Sequence, residues 1–278
     1  MNQKLTTSYG LKFHPFRPDV PNEALFVVPS VDAFCRRVEF GLADGGFVMV
    51  TGDPGTGKSV ALRLIAQRLR AQRDVVVSTI DHPQSRVSDF YRELGDVFGV
   101  PLGAHNRWGG FKALRARWSD HIAQTLVRPV LIVDEAQEML DSVFNELRLL
   151  SSKEFDSRSL LCVVFAGDSR LPDRFRKEQL LPLGSRIRRR LTLDYASRDE
   201  LLACLDHLLD VAGNPALMTT ELKTTLAEHA AGNYRVLMNL GDELLSAALE
   251  RDLPQLDEKL FFEVFAPPQP KKPAAKKR

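Results

Sequence analysis

The sequence has few cysteines and no long hydrophobic run. Its three cysteines, Cys35, Cys162 and Cys204, are far apart in 278 residues, which excludes a disulfide-rich fold and favours a reducing compartment. No apolar run approaches the ~20 residues needed to cross a bilayer. The N-terminus also lacks the basic and apolar regions of a signal peptide. These absences predict a soluble, cytoplasmic protein with no membrane partner.

Excess charge of one sign is also missing. The chain has 38 Lys and Arg against 36 Asp and Glu, a net charge of +2, which argues against coating nucleic acid by bulk positive charge. Segment 267–278 has four prolines and no apolar anchor, so we expect a disordered tail there. This tail either contacts DNA or an acidic partner, or is a solvated end. Its basic residues are Lys271, Lys272, Lys276, Lys277 and Arg278.

Hydrophobic residues make up 44% of the chain, enough for a sizeable core. Continuous apolar strands separated by helical patterns predict a parallel sheet covered on both faces. We therefore predict a three-layer α/β domain at residues 31–196, after an N-terminal linker segment at 1–30. The expected strands lie at 47–51, 75–80, 130–133, 160–166 and 191–193. The expected helices between them lie at 59–70, 85–98, 111–126 and 143–151.

Strand patterns stop near residue 196, and only helical periodicity follows. Ser197 and Glu200 have the spacing of a capping box, in which the two side chains satisfy amides at the start of a helix. Further helical patterns lie at 220–231, 234–251 and 256–265. Residues 197–266 are therefore predicted to form a small all-helical domain.

A phosphate-binding loop lies between the first expected strand and the following helix. Residues 52–59 satisfy the GxxxxGK[ST] pattern in full. Its glycines let backbone amides surround a phosphate, and the helix N-terminus adds about half a positive charge. Lys58 is expected to reach the β- and γ-phosphates of ATP, and the Ser59 hydroxyl to bind Mg²⁺. The predicted nucleotide contacts are Gly52, Asp53, Pro54, Gly55, Thr56, Gly57, Lys58, Ser59 and Val60.

Two carboxylates follow the third expected strand. Asp134 and Glu135 come directly after the apolar run 130–133, at the sheet edge where open α/β folds bind ligands. Asp134 is expected to hold Mg²⁺ through water, and Glu135 to polarise the water that attacks the γ-phosphate. The pair favours a hydrolase over a kinase, because a kinase must exclude water. Gln137 either contacts the nucleotide or a neighbouring group, or is simply solvated.

The motifs in this order resemble an AAA+ ATPase, from near residue 10 to near residue 250. Within that class the chain resembles the ExeA/TniB/TnsC group, which includes transposition regulators and to which IstB and MuB are more distantly similar. By this resemblance the helical domain is a lid over the nucleotide. Besides the two motifs above, the resemblance rests on Tyr9-Gly10-Leu11, Pro15-Phe16, Ala166-Gly167-Asp168, Ser185-Arg186-Ile187 and Gly232-Asn233-Tyr234-Arg235.

The resemblance implies further site residues. Asp168 lies where AAA+ proteins place the sensor of the γ-phosphate, although many use Asn, Ser or Thr there, and a turn or helix cap is the alternative. Arg186 matches the arginine finger that one subunit donates to its neighbour's nucleotide. Because arginines 188–190 crowd the same turn, a sibling arginine or a solvated basic turn is the alternative. Arg235 matches the second sensor, which couples the nucleotide to the lid, or is a surface helix residue.

The arginine finger implies that ATP hydrolysis requires self-assembly into a ring or a helical filament. The sequence does not decide between a ring and a filament, and it does not give the number of subunits.

Basic residues indicate a candidate surface for double-stranded DNA. Segment 107–118 is basic and aromatic, the composition expected of a surface that grips a phosphate backbone. Alternatively, its aromatic residues pack on the sheet and leave Lys112 and Arg115 solvated. In an oligomer a few basic residues per subunit repeat along one track, so a nearly neutral subunit can bind DNA tightly. By the resemblance, three more candidates line a central channel: Arg148, Lys153 and Arg158.

Three functions remain open. In the first, the protein is an ATP-dependent oligomer on duplex DNA that regulates transposition by selecting a target and recruiting or activating a transposase. In the second, it is an ExeA-like secretion ATPase, expected to add a membrane span and an envelope-binding domain. In the third, it is an ATP-driven signalling switch without nucleic acid. ATP-dependent DNA binding separates the first from the other two.

Overall fold

The computed structural model describes residues 2–80, 83–102, 107–154 and 157–266. The chain divides into two compact units, Val27–Tyr195 and a second unit of Met1–Phe26 with Ala196–Arg278. The N-terminal segment, expected as a separate linker at 1–30, thus groups with the C-terminal helices. The expected tail at 267–278 lies outside the described residues.

Strands and helices interleave as far as residue 193, and from there to residue 266 the regular elements are helices. The strands of the described ranges are β1 (Gly46–Gly52), β2 (Val75–Ile80), β3 (Arg128–Val133), β4 (Ser152–Lys153), β5 (Arg158–Ser159), β6 (Cys162–Gly167) and β7 (Ile187–Leu193). The helices are α1 (Asn2–Tyr9), α2 (Pro29–Phe40), α3 (Lys58–Arg70), α4 (Val87–Phe98), α5 (Arg107–Asp120), α6 (Asp141–Ser151), α7 (Arg170–Arg174), α8 (Leu181–Gly184), α9 (Arg198–Ala212), α10 (Thr220–Ala230), α11 (Tyr234–Glu250) and α12 (Glu258–Phe265).

The unit Val27–Tyr195 is built on a parallel sheet with the strand order β2-β3-β6-β1-β7, and β4 and β5 form a separate antiparallel pair. The central strand β6 is buried along its whole length. Since all five strands of the sheet are parallel, their carboxyl ends meet at one edge. There β1, β3 and β6 end side by side at Gly52, Val133 and Gly167.

Helices cover both faces of this sheet. Alternate residues of β1 enter different cores, as the two-residue period of a strand requires. Phe47 and Met49 pack with residues of α4, α5 and α6, whereas Val48 and Val50 pack with residues of α2 and α3. Fully burying one such side chain contributes about 1.5–3 kcal/mol. The expected three-layer α/β fold is therefore confirmed.

Strand β7 differs from the prediction. It begins at Ile187, not at residue 191, so Arg188, Arg189 and Arg190 lie in a strand and the expectation of a basic turn was wrong. The physical reason is the position of β7, which pairs with β1 and forms one edge of the sheet. An edge strand tolerates charged residues on its exposed positions, and a search for continuous apolar runs misses such a segment.

The second unit has its own core. The capping box of Ser197 and Glu200 is present at the start of α9. The N-terminal segment joins the same core through Tyr9 and Phe16, and the Tyr9 hydroxyl donates a hydrogen bond of 2.9 Å to the carbonyl of Leu253. Within the part of the chain that is described, no helix is long and apolar enough to span a membrane.

Candidate nucleotide site

The phosphate-binding loop connects β1 to α3. Gly55 and Gly57 have φ angles of 89° and 100°, a region that residues with a side chain rarely adopt. Thr56 closes the turn, since its hydroxyl donates a hydrogen bond of 2.8 Å to the carbonyl of Asp53. The first amides of α3 have no partner within the helix. The loop therefore has the backbone form that binds a phosphate.

Lys58 is the first residue of α3 and is only 8% exposed. Its ammonium group donates hydrogen bonds of 2.8 Å and 3.1 Å to the carbonyls of Gly52 and Asp53. Burying a charge is unfavourable unless opposite charge or polar groups surround it. The two carbonyls supply part of that stabilisation, and a full opposite charge nearby would complete it. Ser59, the next residue, is exposed.

Asp134 and Glu135 follow β3 directly. Burial raises the pKa of the Asp134 carboxyl, while the charge of Lys58 acts in the opposite direction. One carboxylate oxygen of Asp134 accepts a hydrogen bond of 2.9 Å from the Glu135 amide. Glu135 is exposed and has a left-handed backbone with φ of 49°, which costs a residue with a side chain about 1–3 kcal/mol. Such strain is commonly found at functional sites.

Asp168 follows β6, at the same edge of the sheet. Its carboxylate accepts hydrogen bonds of 2.9 Å from the Arg170 amide and 2.8 Å from the Arg170 side chain. Burial alone raises the pKa of Asp168, but these bonds and the charges of Arg170 and Lys58 outweigh it and lower the pKa. The structure thus brings Lys58, Asp134 and Asp168 together. The carboxylate also forms the turn expected in the alternative interpretation, so its sensor role remains a prediction.

Gln137 is a site residue that sequence reasoning left open. It lies two positions after Glu135 in the 3-10 turn Ala136–Glu138 and is 7% exposed. Its side-chain amide donates to a carboxylate oxygen of Glu135 and accepts a hydrogen bond of 3.2 Å from the Asp168 amide. Gln137 is therefore neither solvated nor free, and it contacts two of the predicted catalytic residues. No sequence pattern indicates this, because Asp168 is 31 positions away.

Arg174 of α7 binds backbone carbonyls of the same turn and of the residue after it. Its guanidinium donates hydrogen bonds of 2.6 Å to the carbonyls of both Gln137 and Met139, and it also pairs with Asp141. These bonds satisfy carbonyls that a short turn leaves without helix partners. Arg174 was not among the predicted site residues, and only the tertiary structure brings it to the turn.

Arg186 lies between α8 and β7, and its guanidinium donates to the carbonyl of Pro182. Of the three arginines that follow it, two have partners within their own unit. Arg189 lies against Gly41, where a side chain would overlap the guanidinium, and Arg190 donates a hydrogen bond of 2.9 Å to the carbonyl of Gly184. Arg188 is exposed. The choice of Arg186 as the arginine finger remains a prediction.

Arg235 belongs to the other unit. It is exposed at the second position of α11, and its amide donates a hydrogen bond of 3.0 Å to the side chain of Asn233, which caps the helix. Its assignment as the second sensor also remains a prediction.

The aromatic residues of α5 divide between core and surface. Trp118 is fully buried and Phe111 packs against the core, as the structural alternative for this segment expects. Trp108 is 64% exposed and stacks on Phe111 with a centroid distance of 5.6 Å. Lys112 is exposed, and its ammonium lies 4.9 Å from the centroid of the Trp108 ring. The guanidinium of Arg115 instead donates to the carbonyls of Leu149 and Ser152 at the end of α6.

The remaining basic candidates lie around the same end of α6. Arg148 is in its last turn and is half-buried. Lys153 and Arg158 are opposite each other in the β4–β5 pair, and Arg158 pairs with Glu154 at 3.3 Å. The structure thus gathers Arg148, Lys153, Arg158 and the guanidinium of Arg115 in one region, and Lys112 lies on α5 three residues before Arg115.

Comparisons with known proteins agree with this fold. Residues 42–175 match a family described as an AAA domain. General secretion pathway protein A of Aeromonas hydrophila is 31% identical over 251 residues, which are 88% of this chain and 45% of that protein. The Aeropyrum pernix ORC2 protein, solved with ADPNP and ADP, has a TM-score of 0.70 at 16% identity, with 90% of this chain and 70% of that chain covered. The Aeropyrum pernix ORC1 protein in complex with DNA has a TM-score of 0.65 at 18% identity, with 90% of this chain and 67% of that chain covered.

The chain therefore contains an AAA domain with the P-loop NTPase fold, which agrees with the predicted enzyme class, an AAA-type ATPase. The chain spans about half the length of the curated relative that it matches. That relative agrees with the ExeA-like alternative, and none of these comparisons supports membership of the TniB/TnsC group. The likeness to the two ORC proteins establishes the fold alone.

Proposed function

We propose that the loop at residues 52–59 binds Mg²⁺·ATP and that Glu135 activates the water that hydrolyses it. The observation that carries this proposal is the buried ammonium of Lys58, held between loop carbonyls and close enough to Asp134 and Asp168 for its charge to act on both carboxyls. Phosphate oxygens fit this position because they supply the negative charge that the buried lysine requires.

The donor set fits Mg²⁺. Ser59 and Asp134 offer hydroxyl and carboxylate oxygens, the ligands that this hard cation prefers. Burial raises the pKa of Asp134, which means that its charge is incompletely stabilised and that a nearby cation would stabilise it. When bound, Mg²⁺ would neutralise charge on the β- and γ-phosphates.

In the proposed reaction, water attacks the γ-phosphorus while its proton passes to the Glu135 carboxylate. The bond between the γ-phosphorus and the bridging oxygen breaks, and ADP and phosphate result. Lys58 stabilises the negative charge of the phosphates. Asp168 senses the γ-phosphate, and Arg235 couples the nucleotide to the helical unit as a lid. Arg186 of one copy completes the site of its neighbour in a ring or filament.

The test measures ATP affinity and phosphate release with and without Mg²⁺, for the unaltered chain and for Ser59→Ala. We expect turnover that requires Mg²⁺ and that falls strongly in Ser59→Ala. The matched control is Ser142→Ala, which changes an exposed serine in the first turn of α6 and should leave turnover unchanged. Saturating ATP binding without any phosphate release at high protein concentration would contradict the proposal.

We also propose that the ATPase binds and acts on double-stranded DNA. The supporting observation is the like-charged pair of Lys153 and Arg158, opposite each other in β4 and β5. Like charges in directly opposed positions destabilise a strand pair. Glu154 pairs with Arg158 and offsets part of this repulsion, and a phosphate backbone would relieve the rest. Arg148 in the last turn of α6, and Lys112 and Arg115 on α5, add positive charge beside the pair. Repetition of this surface in an assembly forms a continuous track.

Gel shifts on duplex DNA with a non-hydrolysable ATP analogue test this proposal. The double variant Lys153→Ala/Arg158→Ala should bind DNA more weakly. The slope of its log affinity against log salt concentration should correspond to about two fewer phosphate contacts. Arg92→Ala, an exposed arginine on α4, is the control. Absence of any complex at moderate salt would exclude DNA and favour a protein client of the secretion type, as the curated relative suggests.

In the transposition hypothesis the DNA-bound assembly recruits or activates a transposase in the cytoplasm. Residues 267–278 add sequence-independent affinity, so their deletion should weaken DNA binding and its salt dependence while ATP hydrolysis continues. Equal DNA affinity with and without the tail would show that it is a solvated end.

A further inference from the structure

Gln137 joins the end of β3 to the end of β6. Its Nε2 donates a hydrogen bond to Oε2 of Glu135, and its Oε1 accepts one of 3.2 Å from the Asp168 amide. The orientation of the Gln137 amide follows from these partners, because a carboxylate only accepts and a backbone N–H only donates. Both ends of a buried side chain are thus occupied, each by a residue of the nucleotide site.

Two neighbouring residues, Gly167 and Arg174, accommodate this bridge of Gln137 between Glu135 and Asp168. A Cβ atom at Gly167 would lie 2.5 Å from Oε1 of Gln137, so the bridge requires a glycine at the end of β6. On the other side, Arg174 binds the Gln137 carbonyl at 2.6 Å and fixes the backbone from which the amide extends. The side chain is therefore held at its base and at both polar atoms.

We infer that Gln137 is a positioning residue for Glu135, an inference that rests on the proposed role of Glu135 as the base. Glu135 is exposed on a left-handed turn, so without a partner its carboxylate would sample several rotamers. The Gln137 bond fixes Oε2 in one position. Oε1 is then the oxygen that we assign to the attacking water.

The second end of the bridge gives Gln137 a further role. Arg170 binds the Asp168 carboxylate with its Nε at 2.8 Å and Glu138 with its Nη2 at 2.7 Å. The Glu138 amide donates a hydrogen bond of 2.9 Å to the carbonyl of Glu135. These bonds form a closed ring between the two strand ends, through Glu135, Gln137, Asp168, Arg170 and Glu138. A shift of the backbone at Asp168 moves Oε1 of Gln137 and, through the amide, the carboxylate of Glu135. The position of the base therefore follows the position of the segment after β6.

The test compares ATP affinity, kcat and its pH dependence in the full chain and in Gln137→Ala, Gln137→Glu and Glu135→Gln. Gln137→Ala should keep the affinity within about twofold and reduce kcat by about 100-fold, the usual effect of a misplaced catalytic group. Asn145→Ala is the matched control, because it removes another amide side chain with two bonds to backbone carbonyls in the same unit. It should lower the melting temperature while kcat stays unchanged.

Gln137→Glu has nearly the same size and supplies a readout that a structural role would not change. When the new carboxyl is protonated it donates to Glu135 as the amide does, and when it is ionised it repels Glu135. The kcat of this variant should therefore fall as the pH rises, over a range where kcat of the unaltered chain is constant. This variant also keeps the test decisive if Gln137→Ala folds poorly.

The outcomes distinguish the proposed role of Glu135 as the base from the inferred role of Gln137 as its positioning residue. Unaltered turnover in Glu135→Gln would overturn the proposed base, and with it the inference. Loss of turnover in Glu135→Gln together with normal kcat and a normal pH profile in both Gln137 variants would overturn the positioning role alone. An equal loss of melting temperature, affinity and kcat in both Gln137 variants, without the new pH dependence, would assign Gln137 to structure only.

Discussion

The ammonium of Lys58 lies 2.8 Å from the carbonyl oxygen of Gly52, so the first residue of α3 is bonded to the last residue of β1. This bond crosses the phosphate-binding loop and holds the positive charge inside it. A lysine fixed in this way loses little freedom when a phosphate arrives, and such preorganisation favours binding. The same bond explains how a charged residue can be 8% exposed.

Replacement of Lys58 by alanine should abolish tight ATP binding. Removing one partner of a buried charge interaction costs about 2–5 kcal/mol, or roughly thirty- to several-thousandfold in affinity. Titration with a fluorescent ATP analogue measures the effect. Lys223→Ala is the control, since this lysine is also largely buried and pairs with Asp206 at 2.7 Å in the helical unit. It should lower the melting temperature only, and an equal loss of affinity in both variants would contradict the assignment.

Arg186→Ala should abolish hydrolysis while ATP affinity remains largely intact, because the finger acts on a neighbour's nucleotide. Arg189→Ala should instead lower the melting temperature, since Arg189 packs against Gly41 and lies 3.8 Å from Asp44. Mixing experiments test action between subunits. Arg186→Ala retains its own site and Glu135→Gln retains its finger, so a mixture of the two should recover part of the turnover. No recovery, or a loss of affinity in Arg186→Ala, would indicate a structural arginine.

The three cysteines should be unreactive in the folded protein. Burial raises the pKa of Cys35 to about 11 and those of Cys162 and Cys204 to about 12, and the thiolate is the form that reacts. A thiol reagent at pH 8 should therefore modify none of them until denaturant is added, after which all three should react. Rapid labelling of any one cysteine in the native protein would show that its segment is open to solvent.

Acid should destabilise the helical unit through His14. Its Nδ1 accepts a hydrogen bond of 3.3 Å from the Phe16 amide, its Nε2 lies 3.0 Å from Asp242, and burial lowers its pKa below 6.5. Because the folded unit binds this proton less readily than the unfolded chain, stability is full above pH 6.5 and falls as the pH drops through the lowered pKa. Melting curves between pH 8 and pH 5 should show a smaller acid loss in His14→Asn. Identical pH dependence in both proteins would exclude His14 as the cause.

The sequence predicts the fold best where two local patterns coincide. The strand preceding the phosphate loop and the strand preceding Asp134 are both continuous apolar runs that end at a recognisable motif, and both are present as β1 and β3. The capping box at Ser197 likewise depends on residues three positions apart. Such features are local, so one sequence is enough to find them.

The features that sequence reasoning missed depend on the tertiary structure. Gln137 bonds to Asp168 across two strand ends, and Arg115 binds carbonyls at the end of another helix. Strand β7 carries its arginines on an edge, which no apolar run reveals. In each case the partner is distant in sequence, and the pattern of residue types around the position is the same as on an ordinary surface.

The most direct test of the account is single-turnover ATP hydrolysis by Glu135→Gln, with ATP affinity measured on the same sample. The substitution keeps the size of the side chain and removes the group proposed to accept the proton of water. We predict ATP affinity within a few-fold of the unaltered protein, hydrolysis slower by about 10²–10⁴-fold, and an assembly that persists with bound ATP. Hydrolysis at the unaltered rate would contradict the central claim that Glu135 is the base of this site.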